Sequence, residues 1–238
     1  IGLVFFARRM LEMYPDSRYA DVMEQALYNT VLSGMALDGK SFFYVNPLEV
    51  LPEACHKDER KFHVKDIRQK WFGCACCPPN LARTLSSVSS YAFTENDDTL
   101  FVHLYIGSDV KKKVNGQEVA VHIDSAFPWD GKVTVSVDGA NVPLTLALRI
   151  PGWANSYTVS ADSSEYTIKD GYLYITRTWK KDETLTLDFP MEIQVWNADP
   201  RVREDIGKAA VTRGPITYCL EEKDNGTDLH LLTLDWNA

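Results

Sequence analysis

QEVAVHIDSAFPWDGKVTVSV, residues 117–137, carries apolar side chains at alternate positions in two short runs: Val119, Val121 and Ile123, then Val133, Val135 and Val137. Successive strand side chains point to opposite faces, so this alternation predicts two strands, each with one buried face. Working outward, further β-rich runs stand at 100–105, 144–150, 157–160, 166–169, 172–178 and 184–189. Asn115-Gly116, Asp138-Gly139 and Asp170-Gly171 are turn pairs that accept the left-handed backbone of tight hairpins. Many short strands with such turns predict an antiparallel β-sandwich over residues 94–197, closed by a strand at 193–196. The charged stretch 199–205, with Pro200, reads as a linker. Two more strands, at 208–212 and 216–220, begin a further β domain at 198–238.

Upstream of Thr94 the period changes. Leu3, Phe6, Ala7, Met10 and Tyr14 recur at helical spacing until Pro15. Asp16 is a natural N-cap for a second helix with an apolar stripe of Val22, Met23, Ala26, Leu27, Thr30 and Val31, ending at Gly34. Asp38-Gly39 signals a hairpin, residues 46–71 read as an irregular polar loop, and proline at the first helical turn predicts a third helix over 79–91. Helices followed by strands make the chain α+β and multidomain, with residues 1–93 as the helical part.

A net charge of −8, from 25 Lys and Arg against 33 Asp and Glu, argues against a nucleic-acid partner, which demands a basic footprint. Apolar runs such as residues 3–7 fall far below the ~20 residues that span a bilayer, so no membrane partner is expected. The chain opens on Ile1 with helical pattern and no signal peptide, which leads us to expect a piece of something longer. Five cysteines cannot all pair internally, which points to a reducing compartment, by default the cytoplasm.

Three of those cysteines, Cys74, Cys76 and Cys77, precede Pro78-Pro79-Asn80 at the start of the third helix. Free N–H groups and the macrodipole favour thiolate there, and two adjacent thiolates call for a neutralising cation, with zinc (Zn2+) the soft candidate. Buried small apolar residues are the plain alternative for any one cysteine. Glu53-Ala54-Cys55-His56 could complete a four-ligand site, although a solvated loop is the more ordinary reading. His103 and His122 fall in strand patterns and read as satisfied or half-exposed strand residues. Glu24 lies at the shoulder of the second helix's stripe and on composition reads as a solvated carboxylate.

Several segments together resemble one family: residues 2–10 (GLVFFARRM), Ala26-Leu27-Tyr28-Asn29, residues 43–48 (FYVNPL), Cys76-Cys77-Pro78-Pro79-Asn80, residues 148–154 (LRIPGWA) and Arg213-Gly214-Pro215. The chain resembles, over nearly its whole length, the β-L-arabinofuranosidases of glycoside hydrolase family 127. The resemblance implies the last helices of an (α/α)6 barrel followed by the sandwich. It implies a retaining glycosidase acting on an arabinose-containing glycan, with Cys76 as nucleophile and zinc ligand and Cys77 as zinc ligand. It places Glu24 and Tyr44 at positions the family uses around the sugar. The family's Glu-x-Cys zinc ligands and its acid/base glutamate lie before the helix that opens here, so this chain alone is expected to be inactive. A homodimer of the full-length protein is compatible with the resemblance. Two rival readings stand beside it: a non-catalytic zinc or thiolate structural module, and a carbohydrate-binding sandwich.

Overall fold

A computed structural model describes residues 1–61, 63–74, 76–138 and 142–235. Strands β1 (Phe93–Glu95), β2 (Thr99–Val102), β3 (Ser108–Val114), β4 (Gln117–Ser125), β5 (Lys132–Asp138), β6 (Pro143–Arg149), β7 (Thr158–Val159), β8 (Tyr166–Lys169), β9 (Tyr172–Thr178) and β10 (Glu183–Asp188) form two five-stranded sheets, ordered β1-β2-β6-β9-β8 and β3-β4-β5-β10-β7. Val119, Val121, Ile123, Val133, Val135 and Val137 are all buried, while Glu118, His122 and Asp124 between them face solvent. Leu144, Leu146, Leu148, Leu173 and Ile175 meet them from the other sheet, with Trp179 and Phe189 in the same core. Asn115 and Gly116 (φ 50 and 80) and Asp170 and Gly171 (φ 50 and 74) adopt the left-handed pairs that two-residue hairpins demand. Gly139, of the third turn pair, lies outside the described residues.

Three differences from expectation have physical causes. The sandwich is not wholly antiparallel: β2 runs parallel to β6, because the chain passes through β3, β4 and β5 of the opposite sheet before returning. Strand β3 escapes the alternation test because Lys112 occupies an inward position. Its stem is buried, and Nζ donates to the Asn96 carbonyl and to Glu95 at 3.3 Å. The run at 193–196 does not close the sandwich. As β11 (Ile193–Asn197) it pairs with β12 (Ala209–Arg213), which pairs with β13 (Ile216–Thr217), in a separate three-stranded sheet. Both sides of β10 are already taken by β5 and β7, so the next segment cannot pair with the strand it follows.

In the helical part, α1 (Gly2–Met13) packs on α2 (Ser17–Gln25), whose N-cap Asp16 accepts from Arg18 N at 3.0 Å. The buried face of α1 is Val4, Ala7 and Leu11, whereas Leu3, Phe6 and Tyr14 of the expected stripe are 54%, 57% and 65% exposed. The helix carries two overlapping apolar faces, and α2 covers one. Helix α2 continues into a π-helical turn, Ala26–Val31, whose wider winding keeps Met23, Leu27 and Val31 inside and leaves Val22 and Thr30 outside. The Asp38-Gly39 hairpin forms, with Phe43 N donating to Gly34 O at 2.8 Å. The loop at 46–71 contains a missed helix, α3 (Pro52–Lys57), announced by Pro52 at its start and Glu53 in its first turn. The third expected helix splits into α4 (Cys77–Ser86) and α5 (Ser89–Ala92). Ser86 and Ser87 hydroxyls donate back to the carbonyls of Ala82 and Arg83 and compete with the helical ladder. Among the described residues no helix is long and apolar enough to cross a membrane.

Candidate active site

Cys76 is the N-cap residue of α4 and is exposed; Cys77, half-buried, is the first residue of the helix, followed by two prolines. The two sulfurs stand 3.4 Å apart. Tyr44, from the segment after the Asp38-Gly39 hairpin, brings its hydroxyl to 3.2 Å from Cys76 Sγ. Its ring packs on Phe72 (centroids 5.5 Å apart), which packs on Phe42 at 5.2 Å. Residues 32 apart in sequence thus meet at one sulfur.

This arrangement distinguishes the two thiols. The Tyr44 hydroxyl, and then the Cys77 thiol, hold the Cys76 thiol below the usual cysteine range. The same contact pushes Tyr44 up to about 12. Burial first, and the Cys76 neighbour second, push Cys77 up to about 11. Of the pair, Cys76 is therefore the more readily ionised, at the end of a helix whose dipole favours an anion.

Two thiolates on one tetrahedral zinc, at about 2.3 Å each, stand about 3.8 Å apart. The Cys76–Cys77 separation of 3.4 Å is close enough that a small side-chain rotation satisfies it. The pair fits two of four positions; among the described residues no group of three or more His, Cys, Asp or Glu is placed to hold a metal. Cys55, half-buried on α3, is therefore not drawn into such a group, and its neighbours are engaged elsewhere: Glu53 with Lys57 at 3.1 Å and His56 with Asp66 at 3.0 Å.

Glu24 is not at this thiol site and is not a solvated carboxylate. It is fully buried between α2 and the sandwich, with Oε1 accepting from Arg149 Nη2 and Oε2 accepting from Trp153 Nε1 at 2.9 Å. Both oxygens are used and the residue has no exposed surface. Arg149, equally buried, spends its other nitrogens on Asp21 Oδ1 at 2.5 Å and the His103 carbonyl at 2.6 Å. Burial pushes the Glu24 carboxyl up against the pull of Arg149. For Arg149 burial is outweighed by Glu24 and Asp21, which hold the guanidinium charged. Beside it, His103 sits between Tyr172 Oη (2.6 Å) and Thr94 Oγ1 (2.8 Å), and burial lowers it to about 3. His122 is exposed and faces Asp109 at 2.5 Å. Sequence reasoning missed Arg149; the signal was its place on the face of β6 opposite Leu144, Leu146 and Leu148.

A second clamp lies at Asn29, within the π-helical turn. Its amide donates to Pro215 O at 2.9 Å and accepts from Thr217 N at 2.8 Å, so the helix also grips the three-stranded sheet.

Comparison with known proteins places this geometry in context. Three family models match consecutive stretches: the β-L-arabinofuranosidase GH127 catalytic domain at residues 1–90, the GH127 middle domain at 99–191, and the glycoside hydrolase family 127 C-terminal domain at 193–238. The chain is 38% identical to the non-reducing end β-L-arabinofuranosidase of Bifidobacterium longum subsp. longum, over 96% of this chain and 36% of that protein. A crystal structure of a GH127 β-L-arabinofuranosidase from Geobacillus stearothermophilus T6 superposes with a TM-score of 0.88 at 51% identity, covering 95% of this chain and 36% of that one. A second solved structure, a GH127 β-arabinofuranosidase, gives a TM-score of 0.82 at 34% identity, over 94% of this chain and 36% of the other. The chain thus spans little more than a third of the length of these relatives.

Proposed function

Since the chain belongs to glycoside hydrolase family 127, we propose that the protein carrying it is a retaining glycosidase that releases terminal L-arabinofuranose from glycans, with Cys76 as its nucleophile. The observation that carries the reading is the exposed Cys76 thiol, held below its ordinary range by the Tyr44 hydroxyl at 3.2 Å. In the first step the Cys76 sulfur attacks the anomeric carbon, a C–S bond forms, and the glycosidic C–O bond breaks. Its electron pair leaves with the aglycone oxygen, which takes a proton from an acid. Water, giving its proton to the base that acid has become, then attacks the same carbon and the C–S bond breaks, returning the thiolate. Two displacements restore the original configuration.

The Tyr44 hydroxyl donates to the thiolate, steadying it before attack and again as it leaves. Half-exposed beside the sulfur, Tyr44 is also placed to contact the sugar. Cys76 and Cys77 would hold zinc, which when bound keeps thiols deprotonated at neutral pH. The groups that touch Cys76 are Tyr44 and cysteines, none of them a carboxylic acid, so the proton donor comes from outside this cluster. Residues 1–93 would form the end of a helical (α/α)6 barrel, followed by the sandwich and a further β domain. The family-model ranges 1–90, 99–191 and 193–238, and the pairing of β11 with β12, support a three-part division of this kind. Five free thiols suit a reducing compartment such as the cytoplasm.

The test is turnover of an aryl β-L-arabinofuranoside by the protein made from its complete gene. Wild type should release arabinose with retained configuration, and Cys76→Ser should lose turnover. Undiminished turnover in Cys76→Ser would remove Cys76 from the role.

A further inference from the structure

Tyr44 reaches Cys76 from a segment with almost no regular structure, so neither a sheet nor a helix fixes its hydroxyl. The contacts that do so converge on the carboxyl end of the helical run that α2 begins. Arg68 donates to Ser33 O twice, from Nε at 3.1 Å and from Nη2 at 2.7 Å. Its guanidinium carbon lies 4.7 Å from the ring centroid of Phe43, the residue before Tyr44. The next residue, Gln69, exchanges both backbone hydrogen bonds with Phe42, at 2.9 and 3.0 Å. On the far side of Tyr44, Asn46 Nδ2 donates to Ser33 Oγ at 2.6 Å. Positions 42, 43 and 46 are therefore tied, and Tyr44 is the side chain stretched between the ties. Phe43 N also donates to Gly34 O at 2.8 Å; beside that bond and the Asn46 link, Arg68 is the side chain among the described contacts that both grips the helix end and lies over the ring next to Tyr44. A cation on a helix's terminal carbonyl is favourable, and a planar fork sets direction as well as distance.

We propose that Arg68 is a positioning residue for the Tyr44–Cys76 pair: by forking onto Ser33 O and lying over Phe43, it fixes the Tyr44 hydroxyl beside the sulfur that attacks the sugar. This rests on Cys76 being the nucleophile, and the test separates the two claims. It uses the protein made from its complete gene, with Arg68→Ala, Arg68→Lys, Tyr44→Phe and the double variant Arg68→Ala/Tyr44→Phe. A misplacement of about 1 Å can cost on the order of 100-fold in rate. Arg68→Ala should therefore lower kcat by about 10- to 100-fold with a much smaller change in KM. Arg68→Lys, which keeps a donor but neither the fork nor the flat face, should fall between.

If Arg68 acts through Tyr44, the double variant is no slower than Tyr44→Phe alone, a non-additivity that a general structural loss does not produce. The same ordering should appear in the rate at which iodoacetamide alkylates Cys76 without substrate. That readout stands even if turnover proves independent of Cys76, so failure of the nucleophile assignment is distinguishable from failure of this one. Where Arg68→Ala melts early, Phe43→Leu removes the platform and keeps an apolar side chain, and should give a weaker form of the same pattern. Unchanged kcat and alkylation in Arg68→Ala, or losses that simply multiply in the double variant, overturn the proposal.

Discussion

Replacing Arg149 by leucine strips the buried seam of its only cation among the described contacts and leaves three acceptors facing each other. In the native arrangement Arg149 Nη2 serves Glu24, Nη1 serves Asp21 at 2.5 Å, and Nε serves the His103 carbonyl at 2.6 Å, all with no exposure of the guanidinium. Asp21 is a quarter exposed and can turn to water, but Glu24 cannot. Breaking a buried pair by removing one partner costs about 3–5 kcal/mol, because the remaining charge stays desolvated. Arg149→Leu is therefore expected to destabilise by roughly that amount. Neutralising the stranded group should return part of it: an unsatisfied but uncharged polar group costs about 1–3 kcal/mol, so Arg149→Leu/Glu24→Gln should be more stable than Arg149→Leu by about 2 kcal/mol. Urea unfolding followed by tryptophan fluorescence is suited to this, since Trp153 donates to Glu24 at 2.9 Å and Trp179 sits in the sandwich core. A loss below about 1 kcal/mol in the single variant, or a double variant less stable than the single, would refute the reasoning.

Three further outcomes are expected. His103 falls from an ordinary 6.5 to about 3 in the folded state, so the unfolded chain binds the extra proton first and stability declines as pH drops from about 6.5 toward 3. In His103→Gln the unfolding free energy measured against pH should lose that part of its slope, and an unchanged slope would contradict the assignment. Gly171, at φ 74, has no room for a side chain, because an added Cβ would meet Ser17 Oγ at 1.9 Å. Gly171→Ala should lower the melting temperature by several degrees, consistent with about 1–3 kcal/mol of strain, and an unchanged melting temperature would show that the turn and α2 can part freely. The 238-residue chain expressed alone should show no hydrolysis of an aryl arabinofuranoside, since the groups that touch Cys76 are Tyr44 and cysteines, none of them a carboxylic acid; measurable turnover would place the proton donor within it.

The sandwich was readable because its signals are local. Val119 to Val137 alternate with polar neighbours, and the Asn-Gly and Asp-Gly pairs can make their turns without help from distant residues. The thiol cluster was readable for the same reason, three cysteines standing just before two prolines. What stayed hidden depends on contacts between elements. Glu24 reads as a solvated carboxylate, and nothing marks Arg149 as its partner, until α2 is laid on β6, 125 residues away. Lys112 disguised β3, because its stem behaves as an apolar side chain while its charge reads as solvent-facing. The meeting of Tyr44 with Cys76 has no periodic signal at all, since both lie in irregular chain and are brought together by Phe72, Gln69 and Arg68. The family resemblance implies a role for Tyr44 around the sugar, and the structure sets its hydroxyl 3.2 Å from Cys76 Sγ.

The central claim is that Cys76 becomes covalently bonded to the sugar. Acid quenching of the complete protein during turnover of an activated arabinofuranoside, followed by peptide mass mapping, tests it directly. A pentosyl adduct on the peptide containing Cys76, absent in Cys76→Ser and removed when turnover is allowed to finish, is the result this account predicts. Full turnover with Cys76 unmodified at every quench time, or the adduct on a different residue, would contradict it.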